Sequence, residues 1–202
     1  MRHFDPARLE GFAAPPARIS GFSRIILAAH ADTPTGVGFG TSRFSSPGRR
    51  FRVLYAAASF RTAFAEAVVR DRLEDRRRRI IRETTLEGYA ITQIASTRPL
   101  KMLDLTGDNA YQLGLNTDAV RARTHQPGQV FAERLVAETD FDAIAYTSRL
   151  TGELCLAIFD RALCDIVGSP SRPLLTVAEL SVELRRLKMS VRRAAHPQSR
   201  AR

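Results

Sequence analysis

Short apolar runs alternate with polar segments along the chain, and the composition of each run indicates the element that it forms. Runs rich in β-branched and aromatic residues predict strands at 23–29, 51–57, 89–95, 100–106, 141–148 and 155–160. Apolar residues at helical spacing predict helices over 61–76, 129–139 and 177–193. Ser59 is the predicted N-cap of the first helix, because its hydroxyl can accept a hydrogen bond from a free amide of the first turn.

These strands come in clusters rather than in strict alternation with helices. That order is typical of an α+β fold, and we expect two packed β-sheets with flanking helices. A chain of 202 residues can bury one sizeable core, so a single domain is predicted over residues 21–190. Prolines in residues 1–20 predict an extended N-terminal arm, and residues 191–202 are expected to form a basic C-terminal tail.

The formal net charge of +10 is concentrated at the C-terminal end, where residues 185–202 contain seven basic residues and no acidic one. A basic tail can bind nucleic acid, contact an acidic partner or remain solvated. The basic run 76–79 is flanked by acidic residues, as is typical of a solvated helix end. A nucleic-acid-binding or RNA-cleaving module stays open as an alternative function, although the sequence lacks a histidine pair or interleaved aromatic and basic residues.

Several broad classes of protein do not fit the sequence. The N-terminal segment lacks the apolar stretch of a secretory signal, and no apolar run approaches the roughly 20 residues that span a bilayer, so a cytoplasmic protein without membrane contact is expected. Cys155 and Cys164 lie in or beside apolar stretches, which predicts buried thiols rather than a disulfide. The four histidines are scattered singly, so no metal site is expected.

Single polar residues at the edges of predicted elements are the candidates for chemistry. Arg43 follows a long segment rich in glycine and proline, and such loops are usually functional. Tyr55 lies in a predicted strand, and Ser148 ends another. Glu66 lies on the first predicted helix, close to its apolar stripe, where a carboxylate needs a partner or a function.

The segments that contain these residues resemble the RES-domain family. They are 40–71 (GTSRFSSPGRRFRVLYAAASFRTAFAEAVVRD), 141–160 (FDAIAYTSRLTGELCLAIFD) and the intervening 100–115 (LKMLDLTGDNAYQLGL), so the resemblance covers roughly residues 20–165. The family's arginine, tyrosine, glutamate and serine then fall on Arg43, Tyr55, Glu66 and Ser148, and a further basic position falls on Arg24. After the arginine this chain has Phe44 and Ser45, where family members often have tryptophan and asparagine.

The resemblance implies an ADP-ribosyltransferase-like fold and a toxin of a bacterial toxin–antitoxin pair that consumes NAD as its substrate, without a metal. The implied partner is an antitoxin with a helical DNA-binding domain, and direct binding of nucleic acid is not expected. An arginine fork suits phosphate oxygens, which assigns Arg43 and Arg24 to binding. The catalytic residues are then expected to be Glu66, Arg43 and Ser148. Glu66 would stabilise positive charge that develops on ribose, Ser148 would fix the geometry, and Tyr55 would contact the nicotinamide ring. Water, phosphate and a target protein all remain open as acceptors of ADP-ribose.

Overall fold

The computed structural model describes residues 4–70, 79–115 and 124–193. Its strands are β1 (Ala13–Ala17), β2 (Phe22–Leu27), β3 (Val53–Ala57), β4 (Ile80–Arg82), β5 (Tyr89–Ser96), β6 (Leu100–Asp104), β7 (Ala143–Thr147), β8 (Leu154–Phe159), β9 (Ile166–Gly168), β10 (Arg172–Pro173) and β11 (Ser190–Arg192). Its α-helices are α1 (Pro6–Glu10), α2 (Phe60–Phe64), α3 (Glu83–Glu87), α4 (Asn109–Gln112), α5 (Gln126–Glu138) and α6 (Ala178–Arg186). A π-helical turn, Ala65–Val69, continues α2.

Within the described residues, most strands belong to one mixed sheet in the order β1-β6-β7-β8-β3-β2-β5-β10, with β9 also paired to β5. A separate small sheet pairs β4 with β11. Ile19, just after β1, exchanges two hydrogen bonds of 3.0 Å with Ser96 at the end of β5. Because β1 lies at one edge of the large sheet and β5 near the other, the sheet must curl back on itself. The α+β class is confirmed, and the two packed layers are two parts of one curled sheet.

The alternation of side chains along β3 places apolar residues on both faces of this sheet. Leu54 and Ala56 join the cluster enclosed by the curl. Val53 and Tyr55 face the other side, where α5 contributes the fully buried Phe131 to the cluster. Burial on both faces explains why this strand is apolar throughout, and it fixes the face on which Tyr55 lies.

The N-terminal segment is not the extended arm that its prolines predict. It forms α1, capped by Asp5, and then β1, which pairs with β6 as an edge strand of the large sheet. The register shifts between Ala14 and Ala17, where Pro15 and Pro16 stand. Proline cannot donate to a ladder and is tolerated at a sheet edge or a bulge, so these prolines are compatible with pairing.

The last helix is shorter than the sequence predicts, because it ends at Arg186 rather than near 193. Lys188 adopts the left-handed region, with φ of 53°, and the amide of Met189 donates to the carbonyl of Leu184 at 2.8 Å. This is a Schellman stop, in which a residue with positive φ turns the chain out of the helix. The chain then enters β11, so the predicted tail boundary at 190/191 falls inside a strand, and residues 194–202 lie outside the described part.

The first predicted helix begins where expected. The hydroxyl of Ser59 accepts a hydrogen bond from the amide of Thr62 at 3.1 Å, which confirms the N-cap. Residues 71–78, with most of the basic run 76–79, lie outside the described residues.

In the part of the chain that the structure describes, no helix is long and apolar enough to cross a membrane.

An ion-pair network around the buried Asp142 ties the end of β5 to β7 and β9. Arg98 binds both oxygens of Asp142, at 2.6 and 2.9 Å, and reaches Asp165 at 2.7 Å. Asp142 is 6% exposed and also accepts the amide of Lys101 at 2.9 Å. Burial alone would raise the pKa of Asp142, but these hydrogen bonds outweigh it and hold the pKa below its ordinary value.

We expect Asp142→Asn to lower the free energy of unfolding by about 2 kcal/mol at pH 7, since Arg98 is partly exposed and the loss falls below that of a fully buried pair. A lowered pKa stabilises the fold above the ordinary pKa and is lost as pH falls, so the difference between variant and wild type should shrink below about pH 4. Urea unfolding at pH 7 and pH 3 measures both. Glu138→Gln, which breaks an exposed pair with Arg134, is the control; an equal loss in both variants would contradict the expectation.

Candidate active site

A cavity of about 390 Å³ opens where β2 and β3 separate. β2 pairs with β5 along its whole length but is in register with β3 at Ser23 and Ala57 alone. Beyond that point the two strands diverge. The cavity is lined by Ser23, Arg24, Ile25, Ser42, Arg43, Tyr55, Ala56, Ala57, Ala63, Glu66, Ala67, Arg70, His125, Tyr146, Thr147, Arg149, Leu150 and Cys155.

Arg24 braces this opening. Its guanidinium donates to the carbonyl oxygen of Tyr55 on β3 at 3.1 Å, and to those of Pro34 and Gly36 at 3.1 and 2.9 Å. These bonds satisfy a β3 carbonyl near the split and fix the start of the loop between the strands. Burial lowers the pKa of Arg24 to about 10, which still leaves it charged at neutral pH. The predicted substrate-binding arginine thus lines the cavity with three of its N–H groups already bound to the backbone.

Glu66 stands at the centre of the site, on the π-helical turn that follows α2. Its Oε1 accepts a hydrogen bond of 2.6 Å from the hydroxyl of Ser148, and its Oε2 accepts one of 2.9 Å from Nη1 of Arg70. π-Helical turns widen one helix turn and occur frequently at functional sites. The carboxylate is therefore held at both oxygens, with about a fifth of the side chain exposed.

Ser148 fixes Glu66 from behind the cavity wall. The side chain is 2% exposed and is not among the residues that line the cavity. Its hydroxyl accepts the amides of Leu150 and Thr151, at 3.2 and 3.3 Å, so its proton is left to point at Glu66. This placement corrects the prediction of Ser148 as a catalytic residue, because it acts through Glu66 as a positioning residue.

Glu153 joins the Ser148 turn to the N-terminus of α2. Its carboxylate accepts hydrogen bonds from the hydroxyls of Ser59 and Thr62, and Thr62 also contacts the hydroxyl of Thr151 at 2.8 Å. The Ser59 and Thr62 bonds lower the pKa of Glu153, which keeps it ionised. The turn that contains Ser148 and the helix that leads to Glu66 are thereby fixed to each other.

Two tyrosines form the wall beside Glu66. The hydroxyl of Tyr55 accepts the amide of Phe44 at 2.9 Å, and the ring of Tyr146 packs edge-on against Phe44 with centroids 5.2 Å apart. Burial raises the pKa of Tyr55 to about 12 and that of Tyr146 well above its ordinary value. Both rings therefore remain neutral at physiological pH and offer aromatic surface and hydroxyl groups.

Arg43 is held between anchored neighbours in the loop from β2 to β3. Phe44 is fully buried, and Gln129 of α5 donates to the carbonyls of Thr41 and Ser42 at 3.1 and 3.2 Å. Burial is the main cause that lowers the pKa of Arg43, and the nearby Arg70 contributes to it. The guanidinium is thus partly buried, and partial burial strengthens its attraction for an anion.

The two cysteines differ in their surroundings. Cys155 is buried and lines the cavity, as its apolar stretch predicts. Burial, and then the charge of Glu66, raise its pKa to about 12, so the thiol remains protonated and is a poor nucleophile. Cys164 is exposed, so the prediction that it is buried was wrong, because it lies on a short 3₁₀ turn at the surface.

Comparison with known proteins now decides the family. The sequence profile of the RES domain matches residues 15–185. This chain belongs to the RES domain family. A curated relative, the probable toxin y4kH of Sinorhizobium fredii, is 35% identical over 91 residues, which are 45% of this chain and 72% of the relative. A solved chain of the M. tuberculosis MbcT–MbcA toxin–antitoxin complex is similar with a TM-score of 0.65 and 20% identity, over 89% of this chain and 96% of that chain.

The RES domain brings four of the five predicted site residues to the cavity wall and Ser148 directly behind it. It also adds residues that the sequence reasoning missed. Tyr146 lies two positions before Ser148 at the end of β7, and Arg70 lies four positions after Glu66, so strand and helix spacing could have indicated both. No local pattern connects His125, whose ring contacts the carbonyl of Thr41 at 2.8 Å, to this site.

Proposed function

We propose that this RES domain cleaves the nicotinamide–ribose bond of NAD, with Glu66 stabilising the transition state. The observation that supports this most directly is the placement of Glu66, which is oriented by the buried Ser148 at the edge of a cavity lined by arginine and tyrosine. A fixed carboxylate of this kind stabilises positive charge without having to reorganise as the charge forms.

The chemistry follows from the bond that breaks. As the bond between ribose C1′ and the pyridinium nitrogen breaks, its electron pair goes to nitrogen, nicotinamide leaves neutral and positive charge develops on the ribose. Glu66 then faces an oxocarbenium-like centre, and the attraction grows only along the reaction coordinate. An acceptor adds its electron pair to C1′; water or a hydroxyl group then loses a proton to solvent, whereas an anionic oxygen such as that of phosphate has none to lose. Tyr55 and Tyr146 provide flat surface for the nicotinamide ring.

The charges of the cavity fit a dinucleotide. Arg24, Arg43, Arg70 and Arg149 line it, and Glu66 is the one carboxylate among the described lining residues. Guanidinium groups bind phosphate oxygens in bidentate fashion. A diphosphate with two negative charges would offset most of this excess of positive charge, while the ribose next to it would reach Glu66.

We further propose that the protein acts in the cytoplasm as the toxin of a toxin–antitoxin pair and that NAD depletion or ADP-ribosylation arrests growth. The names of the similar proteins, a probable toxin and a toxin–antitoxin complex, support this. The partner would be an antitoxin with a helical DNA-binding domain, and it would silence the toxin by covering the mouth of the cavity. A complex in which Arg43 and Glu66 stay open to solvent would contradict direct occlusion.

The proposed reaction is tested by incubating the purified full chain, free of any partner, with NAD. We expect free nicotinamide to accumulate with turnover. NAD labelled in the adenylate half then identifies the acceptor. Free ADP-ribose indicates water, ADP-ribose 1″-phosphate indicates inorganic phosphate, and label on one protein band from a lysate indicates a target protein. NAD that stays intact in water alone, with inorganic phosphate and with lysate would refute the proposal.

Truncation after Arg193, combined with replacement of the exposed Arg192 and Arg193 by glutamine, separates this reaction from the nucleic-acid alternative. The cut removes residues 194–202 and spares β11, which a cut at 190 would destroy, and the combined changes remove four of the seven basic residues of 185–202. We expect the altered protein to release nicotinamide at the full rate and to arrest growth. Loss of growth arrest together with loss of salt-dependent RNA binding would favour the basic module instead.

A further inference from the structure

Glu66 is engaged in an ion pair that opposes the proposed chemistry. Nη1 of Arg70 lies 2.9 Å from Oε2, the oxygen that Ser148 leaves free. A cation at that distance offsets much of the negative charge that Glu66 would present to a positive centre forming on ribose. In the observed arrangement, the negative charge of Glu66 is therefore already offset in large part by Arg70.

The surroundings offer Arg70 another partner once a substrate is bound. Arg70 lines the same cavity as Arg43 and Arg149. The positive charges of Arg70 and Arg149 each contribute to lowering the pKa of Arg43, so the three guanidinium groups repel one another. Positive groups gathered in one cavity favour an anion among them. About a quarter of the Arg70 side chain and a fifth of the Glu66 side chain are exposed, so the pair can be reached from the cavity.

We propose that Arg70 exchanges partners when the dinucleotide binds: it releases Oε2 of Glu66 and binds the diphosphate instead. The inference rests on the proposed function, because it assumes that the cavity binds NAD. The exchange frees Oε2 to face the ribose, where it accepts a hydroxyl proton or stabilises the developing charge. Arg70 is then a positioning residue that couples recognition of a diphosphate to the activation of Glu66. Substrates without a diphosphate would leave the pair closed.

A binding cycle tests the exchange without any turnover. ADP, which has the diphosphate but no nicotinamide, is titrated calorimetrically into the full chain. We expect Glu66→Gln to raise ADP affinity about fivefold, because Arg70 no longer has to leave a carboxylate, and Arg70→Gln to lower it about tenfold. When Glu66→Gln is added to the Arg70→Gln protein, most of its gain in ADP affinity should vanish. An equal gain in the wild type and in the Arg70→Gln protein would mean that Glu66 only repels the diphosphate by its charge, and it would overturn the exchange. Absence of ADP binding to the wild type would also overturn it.

Activity provides the second readout. Nicotinamide riboside contains the bond to be cleaved but no phosphate, so its cleavage cannot draw Arg70 away. We expect Arg70→Gln to lower kcat/KM for NAD about tenfold while the riboside is cleaved as fast as by the wild type or faster. For Arg70→Lys, which keeps the charge without the bidentate fork, kcat/KM for NAD should lie between the values of the wild type and of Arg70→Gln. Equal losses on both substrates would mean that Arg70 only holds Glu66 in place, and the proposal would be wrong.

A matched control exists on α5, where Arg134 pairs with Glu138 at the same i,i+4 spacing away from the cavity. Arg134→Gln should change neither ADP affinity nor the preference for NAD over the riboside. The two proposals also fail differently. If the wild type releases no nicotinamide, the NAD-cleaving function is refuted, whereas the ADP cycle still decides whether Arg70 exchanges partners.

Discussion

Glu66→Gln is expected to reduce kcat for nicotinamide release about 100- to 1000-fold with little change in fold. Glutamine keeps the shape of the side chain and an oxygen that can accept from Ser148, so the turn after α2 should remain in place. What disappears is the negative charge that stabilises the ribose cation, and removal of one preorganised electrostatic group typically has an effect of this size. KM should stay the same or fall, because substrate binding no longer competes with the Arg70 pair.

The measurement is single-turnover release of nicotinamide at saturating NAD, together with a urea unfolding curve for each protein. Glu138→Gln is the matched control and should retain full activity. It removes an exposed carboxylate that, like Glu66, pairs with an arginine four positions away, in this case Arg134. A Glu66→Gln protein that turns over at the wild-type rate would remove Glu66 from the reaction. A variant with an unfolding midpoint far below that of the wild type would call for Glu66→Asp as the second test, which keeps the charge but shortens the side chain.

Arg43→Ala is expected to raise KM for NAD about 100-fold and to change kcat less than tenfold. Arg43 is partly buried, where a charge-assisted bond to phosphate is strong, and its position between buried and hydrogen-bonded neighbours means that it loses little conformational entropy on binding. Arg43→Lys should recover part of the affinity, because a lysine retains the charge but not the bidentate fork.

Steady-state kinetics over a wide range of NAD concentrations separates the two constants for Arg43→Ala. Arg172→Ala serves as the control, since Arg172 is exposed in β10 and lies away from the cavity lining, and its KM should stay within twofold of the wild type. A fall in kcat with KM unchanged would instead place Arg43 at the reacting bond rather than at the phosphates.

Much of the local structure could be predicted because it depends on neighbours in the sequence. The β-branched and aromatic runs gave the central strands, and Ser59 gave the start of α2. The predictions failed where the local signal was weak or misleading. Lys188 ends α6 without the glycine that usually marks such a stop, and the prolines of β1 are tolerated because that strand lies at the sheet edge.

The residue types of the site were also visible in the sequence, but their arrangement was not. Tyr55, Glu66 and Arg43 were identified by resemblance and by their position at element edges. Whether Ser148 touches substrate or Glu66 depends on where the turn after β7 meets α2, and Glu153 decides that through contacts with residues more than 90 positions away. Strand order and long-range hydrogen bonds of this kind leave no periodic pattern.

The sequence by itself therefore determined the class of fold, the strands of the central sheet and the start of α2, since these depend on periodicity, composition and capping. The site residues Arg43, Tyr55, Glu66 and Ser148 came from the resemblance to the RES-domain family. Only the tertiary structure decided that the sheet curls, that β2 and β3 separate to form a cavity, and that Glu66 is paired at once with Ser148 and Arg70. The physical reason is that Glu66 and Ser148 are 82 residues apart in the chain, and only the packing of the β7–β8 turn against the helix makes them neighbours.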